Sequence, residues 1–258
     1  MLTVAPATAH EFWISPEDYT VTTPEQLLAD IRVGQNFKGS AYSYIPANVE
    51  RFDLVMNGKA MMVEARVGDR PALQAEAPAE GLVTVVHQTS DSFLTYTEAE
   101  KFVSFVEHKD FDGVLAEHKA RGLPETGFRE RYSRYAKSLI AVGDGKGADS
   151  NVGLLTEIVA LGNPYVDDMA GGLPVQVFYE NAPRVNTQVE IYDRPPEGEV
   201  TVTTVRTDGD GKAMIPVQPG HEYLVDAVVM RALDPVAESD PVWESLWASL
   251  TFMVPAGQ

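Results

Sequence analysis

The residue with the clearest potential for chemistry is His10, because of the segment that precedes it. Ala7-Thr8-Ala9 presents small side chains at the spacing that signal peptidase requires, and a polar residue follows. Cleavage after Ala9 would make His10 the first residue of the mature chain, so its α-amine and its imidazole could both bind one metal ion. Such nitrogen donors favour Cu²⁺, Ni²⁺ or Zn²⁺ over hard cations such as Mg²⁺. We therefore expect export and a metal site at His10; the alternative is that residues 1–9 form a disordered arm and His10 is internal.

A metal site needs further donors, and the composition limits where they can come from. The chain has five histidines and no cysteine, so thiolate zinc sites, iron–sulfur clusters and cysteine nucleophiles are excluded. His87 follows Val83 and Val85 at strand spacing, and His221 opens a later strand. Either ring could reach His10 if the N-terminal segment pairs along the fold. We therefore predict a metal site formed by His10, His87 and His221, assembled by tertiary folding rather than by one local motif.

The two remaining histidines have simpler interpretations. His118 continues an apolar helical stripe with Phe111, which favours a packing role. His108 lies between Glu107 and Lys109, which is typical of a solvated surface. Neither residue is included in the predicted metal site.

No motif of a known enzyme class stands out. Asp208-Gly209-Asp210-Gly211 resembles the start of a calcium-binding loop, but the twelfth position is Pro219 instead of the required glutamate. The segment is better explained as a hairpin turn, since Asp-Gly pairs favour such turns. Nucleophile elbows, P-loops and dinucleotide fingerprints are absent from the sequence. We therefore predict no catalytic residues.

The charge balance excludes several classes of partner. Lysine and arginine number 20 against 38 acidic residues, for a formal net charge of −18. An acidic surface repels nucleic acid and anionic lipid, so we expect neither as a partner. No apolar run is long enough to span a bilayer, so direct membrane insertion is not expected.

The hydrophobic pattern predicts two β-sandwiches around a short helical insertion. Alternating apolar residues and an Asn57-Gly58 turn favour an antiparallel sandwich over residues 10–95. Helical spacing then dominates the first part of residues 96–170, which we expect to be a helical and loop connector. Residues 171–258 return to short alternating strands. The fold class predicted is mainly β, with two immunoglobulin- or transthyretin-like antiparallel sandwiches.

Several segments, in order along the chain, match the sequence pattern of one known family. The segments are Ala9-His10-Glu11-Phe12-Trp13, Arg131–Leu139, Gly153–Val159 with Asn163-Pro164-Tyr165, Leu173–Tyr179, and Trp247–Phe252. On these segments the chain resembles the DUF4198 proteins, which are grouped with periplasmic parts of nickel and cobalt uptake systems. The resemblance implies a periplasmic protein that binds a divalent transition metal, nickel or cobalt, and hands it to a membrane transporter.

The sequence is also compatible with two other functions. Two sandwiches with an acidic surface could instead form a non-metal module that docks a protein or a glycan in the cell envelope. A terminal histidine with a second histidine is also the ligand set of copper-dependent polysaccharide oxidases, which likewise use a β-sandwich. Metal titration, ligand-dependent melting and copper-dependent oxygen consumption would distinguish the three.

Overall fold

Nearly half of this chain is β-strand, which alternating apolar residues and frequent turn residues favour. The computed structural model describes residues 10–22 and 25–257, and the predicted cleavage segment Ala7-Thr8-Ala9 lies outside them. Within that part of the chain there are eighteen strands, two α-helices and one short 3-10 helix, Pro46–Asn48. The strands are β1 Glu11–Pro16, β2 Thr20–Val21, β3 Gln26–Gln35, β4 Lys38–Tyr42, β5 Val49–Met56, β6 Lys59–Met62, β7 Leu73–Glu76, β8 Gly81–Thr89, β9 Ser92–Thr95, β10 Arg129–Val142, β11 Thr156–Ala160, β12 Leu173–Tyr179, β13 Ala182–Pro183, β14 Gln188–Arg194, β15 Thr201–Arg206, β16 Lys212–Ile215, β17 Glu222–Ala232 and β18 Trp243–Met253. The helices are α1 Ala99–His108 and α2 Val114–Ala120.

One large sheet runs through the whole molecule. Its strand order is β15-β14-β17-β18-β10-β8-β5-β6, and the short strands β2 and β9 also pair with β10. β10 pairs in parallel with β18 on one side and antiparallel with β8 on the other. The segment predicted to be a connector, 96–170, therefore contributes a central strand to the sheet.

Two smaller sheets cover this large sheet and close two cores. The sheet of β1, β3, β4 and β7 buries Phe12, Ile14 and Leu27 against residues of β5, β8 and β10. The sheet of β11, β12, β13 and β16 buries Val175 and Val177 against β14, β17 and β18. The prediction of a mainly β fold built from β-sandwiches is confirmed.

The two helices cover a third apolar cluster at the start of β18. Phe102 and Phe105 of α1 pack with Trp243 and Trp247 of β18, and Phe105 stacks on Trp247 with ring centroids 5.4 Å apart. Both tryptophans belong to the last strand, β18. No helix in the described ranges is both long and apolar enough to cross a membrane.

Candidate functional site

The first strand fixes His10 at the edge of the molecule. β1 pairs with β3 from Glu11 opposite Gly34 to Pro16 opposite Ala29, and most of its side chains are buried. His10 directly precedes this strand and is itself exposed. Its side chain lies where the buried strand meets the surface and contributes to the lining of three adjoining cavities.

One of these cavities contains a second predicted ligand. It has a volume of about 460 Å³, a size typical of small-molecule sites. His10, Phe12, His87 and Arg134 line it, together with residues that follow β4 and β8. The structure thus brings His10 and His87 to the same cavity.

His87 is buried and chemically unsatisfied. It pairs with Phe52 across β8 and β5, is only 2% exposed, and lies 5.3 Å from the ring of Phe12 between centroids. Neither of its ring nitrogens has a hydrogen-bond partner among the described residues. Burial lowers the pKa of His87 to about 3, so the ring is neutral at physiological pH. Both nitrogens are buried, and a neutral imidazole with unpaired nitrogens is the form that a metal ion or a hydrogen-bonding ligand binds.

The other buried or half-buried histidines are already engaged. His118 accepts a hydrogen bond at Nδ1 from the Trp243 indole at 2.9 Å, and its Nε2 lies 3.0 Å from the Pro124 carbonyl oxygen. His108 Nε2 lies 2.9 Å from a carboxylate oxygen of Glu190. The packing role predicted for His118 agrees with these contacts, and His108 is exposed, as predicted, while also contacting Glu190.

The third predicted ligand lies elsewhere. His221 Nδ1 is 2.7 Å from Asp193 Oδ1, and its ring stacks on Tyr223 with centroids 6.3 Å apart. It is not part of the lining of the cavity shared by His10 and His87. His221 lies beside Asp193 because β14 pairs with β17, which places the start of β17 next to the end of β14. Within the described ranges, no group of three or more histidine, aspartate or glutamate side chains is arranged to hold a metal ion.

Arg134 was not among the predicted site residues, although it forms a wall of the cavity. Its guanidinium carbon lies 4.7 Å from the ring centroid of Tyr132 and 5.6 Å from that of Phe12. Its Nε is buried without a hydrogen-bond partner, and burial lowers its pKa. The sequence could have indicated this arrangement, because Glu130, Tyr132 and Arg134 alternate along β10 and therefore share one face of the strand.

A second cavity adjoins the first along this face of β10. It has a volume of about 280 Å³, and His10, Tyr132 and Arg134 contribute to both linings. Glu130 lies in its wall, where it accepts a hydrogen bond from the Tyr96 hydroxyl at 2.6 Å and another from Ser245. Burial raises the pKa of Glu130 to about 7.

A buried charge network underlies the start of β1. Glu11 accepts a hydrogen bond from the Tyr192 hydroxyl at 3.0 Å, and burial raises the pKa of this carboxyl to about 7. Tyr192 also donates to Glu190 at 2.8 Å. Lys109, at the end of α1, donates to Glu190 and to Asp226, the latter at 2.8 Å. These contacts hold the residue next to His10 firmly in place.

Comparison with known proteins identifies the family. The sequence profile of DUF4198, a domain of unknown function, matches residues 7–231. This chain belongs to the DUF4198 family. The resemblance inferred from the sequence is thereby confirmed at the level of the family. No curated protein matches the chain.

Two solved structures can be aligned over nearly the whole chain. One is described as the D0-D1 domain of intimin, at 14% identity and a TM-score of 0.22, covering 94% of this chain and 97% of that one. The other is a tetra-tandem repeat in the extending region of a large adhesion protein, at 12% identity and a TM-score of 0.21, covering 95% of this chain and 49% of that one. Scores this low carry no argument about this protein.

Proposed function

We propose that this protein is an exported, periplasmic accessory that binds a divalent transition metal, nickel or cobalt, and delivers it to a membrane uptake system. The observation that supports the proposal most is that His10 and His87 line one cavity and that both ring nitrogens of His87 are unpaired. After cleavage at Ala9, the α-amine and ring of His10 would join the ring of His87 as three nitrogen donors. Nickel, cobalt, copper and zinc all accept such donors.

The properties of His87 suit a metal ligand. A metal binds the neutral form of imidazole, so protons compete with it at an ordinary histidine near neutral pH. The low pKa of His87 removes that competition. The net charge of −18 adds a general attraction for cations.

The small number of protein donors suits a carrier. Three nitrogen atoms leave coordination positions open, and an open position lets an incoming ligand bind before the first ligands leave. A carrier that passes its metal to a transporter needs such an exchange. A buried site with complete coordination would hold the metal more tightly and release it more slowly.

Calorimetric titration of the mature protein, beginning at His10, tests this proposal. We expect stoichiometric binding of Ni²⁺ or Co²⁺, and a loss of about tenfold or more in affinity for His87→Phe. His221→Phe is the matched control, because it removes a histidine outside the cavity, and its affinity should equal that of the unmodified protein. An additional glycine before His10 should weaken binding; unchanged affinity would show that the terminal amine is not a ligand. Equal affinities of the His87→Phe variant and the unmodified protein would disprove the proposed site.

Melting-temperature and oxygen-consumption measurements on the protein beginning at His10 distinguish the two alternative functions. A non-metal docking module should show no rise in melting temperature with any of the metals, whereas a ligand at one hundred times its Kd stabilises a protein by about 2.7 kcal/mol. Two histidines on one cavity also form the ligand set of a copper oxidase. That function predicts ascorbate-dependent oxygen consumption by the copper-loaded protein.

A further inference from the structure

We infer that the cavity binds its metal together with a small organic carboxylate, which Arg134 holds. This inference rests on the proposed function, since it specifies the form in which the metal arrives. Two features of the cavity carry it: a cation without a carboxylate partner and an unpaired histidine on the same lining.

Arg134 differs from the neighbouring arginines of its strand. Arg131 donates to Glu244 at 2.7 Å, and Arg129 donates to the Ser239 carbonyl oxygen at 2.8 Å. In the described ranges, no carboxylate lies within ion-pair distance of Arg134, and its Nε is buried without a partner. A half-buried guanidinium in this state gains free energy when an anion binds beside it.

Two aromatic rings restrict the orientation of the Arg134 guanidinium. Its carbon lies 5.6 Å from the centroid of Phe12 and 4.7 Å from that of Tyr132. The backbone N–H of Arg134 donates to the Thr89 hydroxyl at 3.0 Å and so holds the strand from which the side chain extends. A planar guanidinium presents paired N–H donors that match the two oxygens of a carboxylate. Fixing this plane in advance reduces the entropy lost on binding.

Other charges that face the two cavities are compensated. Asp91, on the first lining, lies 3.6 Å from Arg131. Glu130, on the second lining, accepts hydrogen bonds from Tyr96 and Ser245 and interacts with Arg134 at longer range, and Lys101 pairs with Glu98 at 2.9 Å. The groups with unpaired atoms are therefore the Arg134 guanidinium, which suits an anion, and the neutral ring of His87, which suits a metal.

A metal–carboxylate complex satisfies both groups at once. Its free carboxylate oxygens can accept from Arg134 while the metal binds the ring of His87. The cavity of about 460 Å³ is large enough for a small ligand in addition to the ion. A bare ion would leave the guanidinium without a partner.

Equilibrium dialysis with radiolabelled nickel and radiolabelled citrate tests the inference on the mature protein. Citrate is the probe, because it binds Ni²⁺ and retains free carboxylate oxygens. We expect equal amounts of nickel and citrate to be retained, with nickel held about tenfold or more tightly when citrate is present. Retention of nickel with no citrate, or weaker nickel retention as citrate is added, would overturn the inference and leave the proposed function intact. Absence of nickel retention under every condition would overturn both.

Substitution of Arg134 separates its role from that of the histidines. Arg134→Met should abolish citrate retention. Arg134→Lys, which keeps the charge and is the gentler change if the methionine variant does not fold, should retain citrate more weakly than the unmodified protein. Arg129→Met is the matched control, because that arginine also lies over an aromatic ring but outside both cavities. Citrate retention that is equal in the Arg134 variants and the control would disprove the assignment.

Discussion

At the scale of single residues, the protein contains buried groups whose environment opposes their usual ionisation. His87 has a lowered pKa, whereas Glu11 and Glu130 have raised ones, and burial is the main cause in each case. The sequence identified His87 as a candidate by its place on a strand but did not reveal its unpaired nitrogens. Its nitrogens are unpaired because the ring lies against the rings of Phe12 and Phe52, which are 75 and 35 residues earlier in the chain. Arg134 was missed because nothing local shows that it lacks an acidic partner.

The low pKa of His87 makes metal-free protein sensitive to acid. The unfolded chain binds a proton at His87 below its ordinary pKa of 6.5, whereas the folded protein does so only near pH 3. The unfolded state therefore binds more protons in this window, and stability is lost as the pH falls. Between pH 7 and pH 5 we expect a loss of about 2 kcal/mol from this residue.

Urea unfolding of chelator-treated protein at the two pH values measures this loss. Glu11 and Glu130 contribute the opposite slope, since a raised carboxyl pKa stabilises the fold as the pH falls below about 7. The comparison must therefore be made with His87→Phe, which retains both carboxyl groups. The difference in unfolding free energy between the two proteins should change by about 2 kcal/mol from pH 7 to pH 5. A constant difference would contradict the burial of a neutral His87.

At the scale of elements, α1 is attached to the large sheet by a buried ion pair as well as by its apolar face. Lys109 follows the last residue of the helix and reaches Glu190 of β14 and Asp226 of β17. The Lys109 ammonium also lies 4.8 Å from the centroid of the Trp247 ring. The sequence predicted the helical periodicity of this region, but it could not show which strands lie beneath the helix. The two acidic partners are 81 and 117 residues away.

Removal of Lys109 should destabilise the protein strongly. Lys109→Met leaves Asp226 buried without its cation and leaves Glu190 only the exposed ring of His108 as an ion-pair partner in the described ranges. Loss of one partner of a buried ion pair costs about 3–5 kcal/mol. Lys101→Met is the matched control on the same helix, since Lys101 forms an exposed pair with Glu98 worth at most about 1 kcal/mol. Urea unfolding at pH 7 gives both values, and similar costs for the two variants would contradict the role assigned to Lys109.

At the scale of the whole molecule, the two sandwiches share one sheet. The expected boundaries, 10–95 and 171–258, followed from the change in hydrophobic period, but each core also contains residues of the segment between them, Ile140 in one and Ile158 in the other. The sequence could not predict that β10 pairs in parallel with β18, because that register joins residues more than 100 positions apart. β1 strengthens the connection, since Phe12 belongs to one core while Trp13 packs with Tyr192 and Leu224 of the other half.

We expect the protein to unfold in one cooperative step. Separation of the halves would expose the edges of β10 and β18 and unpair their backbone hydrogen bonds. In calorimetry the measured enthalpy should equal the van't Hoff enthalpy, and a fragment of residues 171–258 should not fold alone. Two resolved transitions, or a folded fragment, would show that the halves are independent.

The shared strand β10 also affects the rates at which a ligand would bind and dissociate. On one side of β10 is Arg134; further along, the ammonium group of Lys137 is held by Asp149 at 2.8 Å and by Glu157 at 2.9 Å. Because these salt bridges hold β10 on its opposite face, we expect the cavity wall to keep its shape when a ligand binds. Ligand binding would then need no slow rearrangement of the backbone. The residence time of a ligand would depend on the strength of its contacts with the cavity.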